Sequence, residues 1–275
     1  RRLSQEVNKI EVQNLSEALE VPATNDEISR LTVSFNKMLA RLDEAFTAQK
    51  QFSANAAHEL RTPLAVIQTN LEVFARREAP ALKDYQEIFS MLQEQTGRLS
   101  HLAEILLDMT GVQTVERSER ISLAALTDEV FCDLASVAEQ KEVELIQQEG
   151  DCIITGSYLL LYRAVYNLVE NAIKYNHSGG KVTVNIHPSE EITDTSTSDN
   201  YAFLEVSDTG IGIPPEYQEK IFTPFFRVDK SRSRAMGGAG LGLALVSEIV
   251  RQHNGQVKVL ESSKKGSVIA IMLPV

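Results

Sequence analysis

The sequence predicts a multidomain chain in three parts: a helical segment of coiled-coil character over residues 1–46, an antiparallel helical hairpin over 47–113, and an α/β sandwich over 114–275. Three observations carry this. From Ile28 the apolar residues fall at Leu31, Phe35, Met38 and Leu42, in alternating steps of three and four. Two long helical stretches flank a Glu78-Ala79-Pro80-Ala81 break, and the second sets Tyr85, Ile88, Leu92, Leu99, Leu102, Leu106 and Met109 on a near-strict heptad, with Gln95 its polar interruption. After Gly111 the pattern turns to mixed helix and strand.

Taken in order, Leu3, Val7 and Ile10 give a short helical face, and a connector from Val21 to Glu27 leads to the Ile28 seam. Phe46 follows Leu42 at a second consecutive step of four, a stutter expected to unwind the supercoil locally. Residues 47–77 read as one helix carrying His58. Two helices cannot bury such seams unaided, so the hairpin is expected to pair with a second copy as a four-helix bundle, making the chain a homodimer. Helices are then expected near 124–140, 157–175 and 240–253, alternating with β-rich runs Lys181–Ile186, Tyr201–Ser207 and Gly266–Leu273. Between two strands, Pro188–Asn200 has the composition of a solvated loop.

Composition narrows the function. The 275 residues are 43% hydrophobic, ordinary for a globular protein, and no run of about 18 uncharged apolar residues is present. No signal-peptide pattern opens the chain, and this piece is expected to be soluble. A formal charge of −11 argues against nucleic acid and against an anionic membrane surface as partners. Cys132 and Cys152 stand apart from each other and from any histidine cluster, so they read as small hydrophobes rather than a zinc site or a disulfide.

The chemistry concentrates in five places. In Ala57-His58-Glu59-Leu60-Arg61-Thr62-Pro63 an imidazole sits beside a carboxylate, with a hydroxyl one turn on. A carboxylate that takes the proton on one ring nitrogen leaves the other free to attack an electrophile, so His58 reads as a nucleophile. Pro63 cannot donate to the carbonyl of Glu59, and the helix is expected to bend there. His101 has neither an adjacent acid nor a following proline and reads as structural or exposed. Asn167, Asn171, Lys174 and Tyr175 share one helix face, where amide oxygens and an ammonium suit a magnesium ion bridging phosphates. Asp208-Thr209-Gly210-Ile211-Gly212 follows a strand, and the Asp208 carboxylate can accept a hydrogen bond from an exocyclic amine such as that of adenine. Phe222-Thr223-Pro224-Phe225-Phe226-Arg227, followed by Lys230, Arg232 and Arg234, reads as an aromatic-anchored lid. Gly237-Gly238-Ala239-Gly240-Leu241-Gly242 opens a helix whose N-terminal N–H groups favour phosphate. Its spacing fits neither GxxxxGK[ST] nor GxGxxG, which excludes the commonest P-loop and Rossmann readings.

The stretch from Asp26 to Leu42 resembles a HAMP linker, the parallel helical relay that normally follows a transmembrane helix. The five motifs in this order resemble a sensor histidine kinase of the two-component systems, across essentially the whole chain. The resemblance implies a dimerisation and phosphoacceptor hairpin and a Bergerat-type ATP-binding domain from about residue 114, with ATP and Mg²⁺ as cofactors. Asn167 and Asn171 then look like the magnesium and phosphate positions, Lys174 a phosphate contact and Tyr175 a pocket wall. Asp208 looks like the adenine reader beside Gly210 and Gly212. Phe225, Arg227 and Leu241 belong to the nucleotide-binding set with the phosphate glycines Gly238, Gly240 and Gly242. The implied reaction passes the γ-phosphoryl of ATP in line to His58, with Glu59 orienting the ring and taking its proton, and then to an aspartate of a response regulator receiver domain. Glu59-x-x-Thr62 also implies the reverse activity, with Thr62 positioning a water that hydrolyses the regulator's acyl phosphate. Leu64, Ile67 and Leu71 are divided between bundle core and a docking surface for that regulator. An upstream transmembrane sensor is implied, which makes this the cytoplasmic portion of a bacterial inner-membrane protein. A Bergerat-type ATPase would share the nucleotide pieces without needing His58 and Glu59, and a non-catalytic dimeric scaffold would tolerate loss of Asn171 or Asp208.

Overall fold

The computed structural model describes residues 19, 21, 27–111, 115–189, 201–228 and 239–275, and the chain divides into two compact units, Arg1–Thr62 and Pro63–Val275. The helical face of Leu3, Val7 and Ile10, most of the Val21–Glu27 connector, the polar loop beyond Ser189, the basic residues Lys230, Arg232 and Arg234, and Gly238 lie outside the described residues.

Helix α1 runs from Glu27 to Ala75 as one element of 49 residues. The helix runs unbroken across the step at Phe46 and takes in the stretch from residue 47 that the sequence reads as a helix. Between Lys37 and Leu60 the chain is rich in Ala, Leu, Gln, Glu and Lys and has no Gly or Pro, so nothing in it breaks the helical hydrogen-bond ladder. The helix also continues through Pro63.

In the first unit, Ser29, Thr32 and Leu39 form the buried stripe of α1, and the Asn36 amide clasps the backbone of Leu19, donating to its carbonyl and accepting its N–H, each at 2.9 Å. The seam of Ile28, Leu31, Met38 and Leu42 is a different stripe and is exposed, with Leu31 at 58% against 3% for Leu39. Both stripes have helical spacing, one covered within the chain and one open.

In the second unit, α1 ends at Ala75 and α2 begins at Leu82, across the break the sequence marks. Phe74 meets Tyr85 edge-on at 5.1 Å across it. Asp84 accepts the Ala81 N–H at 2.8 Å and pairs with Arg77, which fixes the start of α2. Gln95, Leu102 and Ile105 are the buried residues of α2, which runs to Gly111 and packs against the helix of residues 242–252.

The remainder is a layer of helices on a sheet. Strand β1 (Glu119–Ser122) pairs antiparallel with β3 (Ile153–Gly156). The main sheet has five strands in the order β2 (Glu144–Gln147), β4 (Lys181–Pro188), β5 (Tyr201–Asp208), β7 (Gly266–Pro274) and β6 (Gln256–Ser263), antiparallel except for the β2–β4 pair. Alternation puts Val182, Val184, Ile186, Leu204, Val206, Ile271 and Leu273 on one buried face. Helices α3 (Leu123–Gln140), α4 (Tyr158–Lys174) and α5 (Gly242–Gln252) supply the other half of the core through residues such as Leu126, Leu134, Leu161, Leu168, Leu245 and Ile249. The three expected helices and the three expected long strands are all present.

Candidate active site

A cavity of about 690 Å³ opens in the second unit, walled by the end of α4, the end of β5 with its following turn, and the start of α5. It brings together Asn167, Asn171, Lys174 and Tyr175 with Asp208, Gly212, Arg227, Gly240, Leu241 and Gly242, which the chain holds in four separated stretches.

Asn167 is 8% exposed, and its Nδ2 donates to the Arg163 carbonyl one turn back at 2.8 Å. That bond leaves Oδ1 facing Gly242, where a Cβ would lie 2.6 Å from the oxygen. A side chain there would fill the space in front of the amide, so glycine is what keeps the oxygen accessible. Asn171 lies one turn on, its Nδ2 facing the same glycine. Hard oxygen at this place fits a Mg²⁺ ion sharing phosphate oxygens.

Asp208 ends β5. Its Oδ1 accepts the Gly210 N–H at 2.7 Å. Burial pushes the carboxyl above its ordinary range, opposed by backbone N–H donors from Gly210 and Ser267. Gly212 holds φ at +72°, and a Cβ there would lie 1.8 Å from the Ser263 carbonyl, so the turn needs glycine on both counts. Gly210 is not on the cavity wall and instead supports Asp208 from within the turn.

At the other end, Lys174 is half-buried, with its ammonium 5.8 Å from the centre of the Tyr175 ring. Burial lowers its pKa, Arg227, Arg98 and Lys141 lower it further by repulsion, and Glu170 opposes them. Cations converging here suit a polyanion. Phe225 adopts φ +64° and donates its N–H to the Gly240 carbonyl at 2.8 Å, so it shapes the glycine loop, while the adjacent Phe226 lines the cavity.

His58 lies in the first unit, exposed on α1. Thr62 Oγ1 donates to the His58 carbonyl at 3.2 Å, and Glu59 is half-buried beside them.

Three family models match this chain: the HAMP domain over residues 1–44, the His Kinase A (phospho-acceptor) domain over 48–114, and the histidine kinase-, DNA gyrase B- and HSP90-like ATPase over 156–275. The chain belongs to the sensor histidine kinases. Among relatives, the sensor histidine kinase RppB of Synechocystis sp. is 35% identical over 238 residues, covering 84% of this chain and 50% of RppB. CusS of Escherichia coli K12 is 32% identical over 277 residues, covering 100% of this chain and 55% of CusS, and the sensor protein CutS of Streptomyces coelicolor is 33% identical, covering 100% and 64%. The chain thus spans between half and two thirds of the length of these relatives. The fold is shared with the histidine kinase AdeS of Acinetobacter baumannii at a TM-score of 0.59 and 22% identity, over 79% of this chain and 97% of that one. It is shared also with ThkA, solved in complex with the response regulator TrrA, at 0.65 and 21% identity, over 90% and 68%.

Sequence reasoning missed several residues of the cavity wall. Lys141, at the C-cap of α3, donates to the Lys174 carbonyl at 3.2 Å, and His101 and Ile105 of α2 also line the cavity. None lies in a motif, and only the packing of helices brings them to the site. Phe226 had a signal, since it neighbours the Phe225 that the motif reading chose.

Proposed function

We propose that the chain is the cytoplasmic portion of a membrane-anchored sensor kinase, which binds ATP in this cavity, autophosphorylates His58 and passes the phosphoryl group to an aspartate of a response regulator. The observation that carries this reading is the cavity itself, where the Asp208 carboxylate, the Asn167 and Asn171 amides and the Lys174 ammonium face one space. Asp208 would accept from the adenine amine, and Lys174 and Arg227 would balance phosphate charge. Asn167 and Asn171 would hold Mg²⁺, which when bound neutralises phosphate charge during transfer. His58, exposed on α1 and in the other unit, would be the nucleophile. Glu59 would orient the imidazole and take its proton. The open Ile28–Leu42 seam supports a homodimer. No helix among the described residues is long and apolar enough to cross a membrane, so the anchor would lie in a part of the parent protein beyond these residues.

The Thr62 hydroxyl favours a second activity beside the kinase, dephosphorylation of the regulator. The Thr62 hydroxyl has its proton committed to the His58 carbonyl, so only lone pairs remain. It would accept from a water and leave that water's oxygen free to attack an acyl phosphate.

Incubation with γ-labelled ATP is expected to give an acid-labile phosphoryl group on wild-type protein and none on His58→Gln, with ATP binding unchanged. Acid-labile label on the variant would remove His58 from its role.

A further inference from the structure

We infer that Asn176 is a positioning residue that sets the adenine-reading turn, an inference that rests on Asp208 meeting the adenine amine. Asn176 lies just past α4 and is only 7% exposed. Its Nδ2 donates to the Lys181 carbonyl at the start of β4, at 2.9 Å, and its Oδ1 accepts the Thr209 hydroxyl proton at 3.0 Å. The same oxygen accepts the His177 backbone N–H at 3.0 Å and lies 3.1 Å from His177 Nδ1. Thr209 is tied to Lys181 in turn, accepting its N–H on Oγ1 at 2.9 Å and donating its own N–H to the Lys181 carbonyl at 3.1 Å. One buried amide therefore closes a ring joining the end of α4, the start of β4 and the residue immediately after Asp208.

The neighbouring Tyr175 holds the other side of the turn, its carbonyl accepting the Ile211 N–H at 3.2 Å. Consecutive residues 175 and 176 thus grip positions 211 and 209, and the carboxylate is carried on the strand end that leads into them. Asp208 uses Oδ1 on the Gly210 N–H, so the direction of its remaining acceptor depends on where this turn sits. A hydrogen bond to the adenine amine weakens steeply with distance and angle. The phosphate end, built on Asn167, Asn171 and Lys174, reaches about two and a half turns back along α4 and does not share the ring. Loss of the Asn176 amide should therefore impair reading of the base while sparing the phosphates.

The test compares dissociation constants for ATP and for inosine triphosphate, which lacks the 6-amino group, on wild type, Asn176→Ala, Thr209→Val, the double variant and Asp208→Asn. Thr209 is exposed, so its variant retains the fold even where Asn176→Ala does not. Asn176→Ala and Thr209→Val are each expected to weaken ATP binding roughly tenfold, with inosine triphosphate changed by less than about twofold. The double variant should fall well short of the product of the two single losses, because the hydrogen bond joining the two groups is already gone in either single variant. Equal weakening of both nucleotides, or of neither, in the folded variants overturns the inference. If Asp208→Asn also leaves the ATP preference at the wild-type ratio, the adenine reading itself has failed. If Asp208→Asn removes the preference and the Asn176 and Thr209 variants keep it, the role of Asn176 alone is lost.

Discussion

Thr62 donates its proton to the His58 carbonyl and can only accept from a water, whereas attack by His58 on ATP needs neither group of that bond. Thr62→Ala is therefore expected to keep autophosphorylation within a few-fold of wild type and to lose most dephosphorylation of the regulator, followed as decay of purified phospho-regulator with ADP present. Equal loss of both activities would mean that Thr62 supports the helix around Pro63 instead. His253 shows how a buried group sets pH dependence. Its Nε2 accepts the Ser157 N–H at 3.0 Å and Nδ1 faces the Ile249 carbonyl at 2.8 Å, which fixes the neutral tautomer with its proton on Nδ1. Burial lowers its pKa, the Ile249 carbonyl opposes that, and Arg117 lowers it further. The folded pKa lies below the unfolded one, so the unfolded chain binds more protons as pH falls below about 6.5, and stability falls until the folded value is passed. The wild-type unfolding temperature should thus drop more steeply from pH 7 to 5 than that of His253→Gln, and parallel slopes would count against the assignment. Residues like Asp208 were legible because their chemistry is written in a local motif. Asn176, Lys141 and His253 were not, because each acts through a partner supplied by another element.

Element by element, legibility followed length and period. The helices and long strands repeat their pattern often enough to be read, and α4 and α5 fall within about two residues of expectation. Strands β1, β2 and β3 have four residues each, too few to display a period, and β6 loses its alternation where the register shifts between Val259 and Glu261. On α1 the sequence identified the open seam and overlooked the stripe buried within the chain, because Ser29 and Thr32 are polar. Thr32 satisfies its hydroxyl on the Ile28 carbonyl at 2.8 Å, which lets it sit fully buried. The open seam then carries a prediction about assembly. Burying a leucine-sized side chain is worth about 1.5–3 kcal/mol, and a dimer would cover Leu31 and Met38 from both copies. Leu31→Asp with Met38→Asp should weaken self-association at least a hundredfold, read by sedimentation. An unchanged dimer would assign the interface to another face.

At the scale of the whole molecule, His58 and the cavity belong to different compact units. Ligand linkage should therefore be confined to the unit that holds the cavity. With Mg²⁺ present and ATP at about a hundred times its dissociation constant, mass action adds about 2.7 kcal/mol to that unit's stability, which raises its unfolding midpoint by roughly 5–10 °C. His58→Gln should keep this shift in full, since the histidine contributes nothing to the cavity wall. Asp208→Asn should cut it by about half at the same ATP concentration, the consequence of a roughly tenfold loss of affinity. A chelator should shrink the wild-type shift as well, because the phosphates would then face Asn167 and Asn171 without the cation proposed to lie between them. An identical shift with and without chelator would detach the asparagine pair from Mg²⁺ while leaving Asp208 and the adenine pocket intact. If the shift survives Asp208→Asn and disappears with the chelator, the cavity recognises the metal–phosphate end of the nucleotide and not its base.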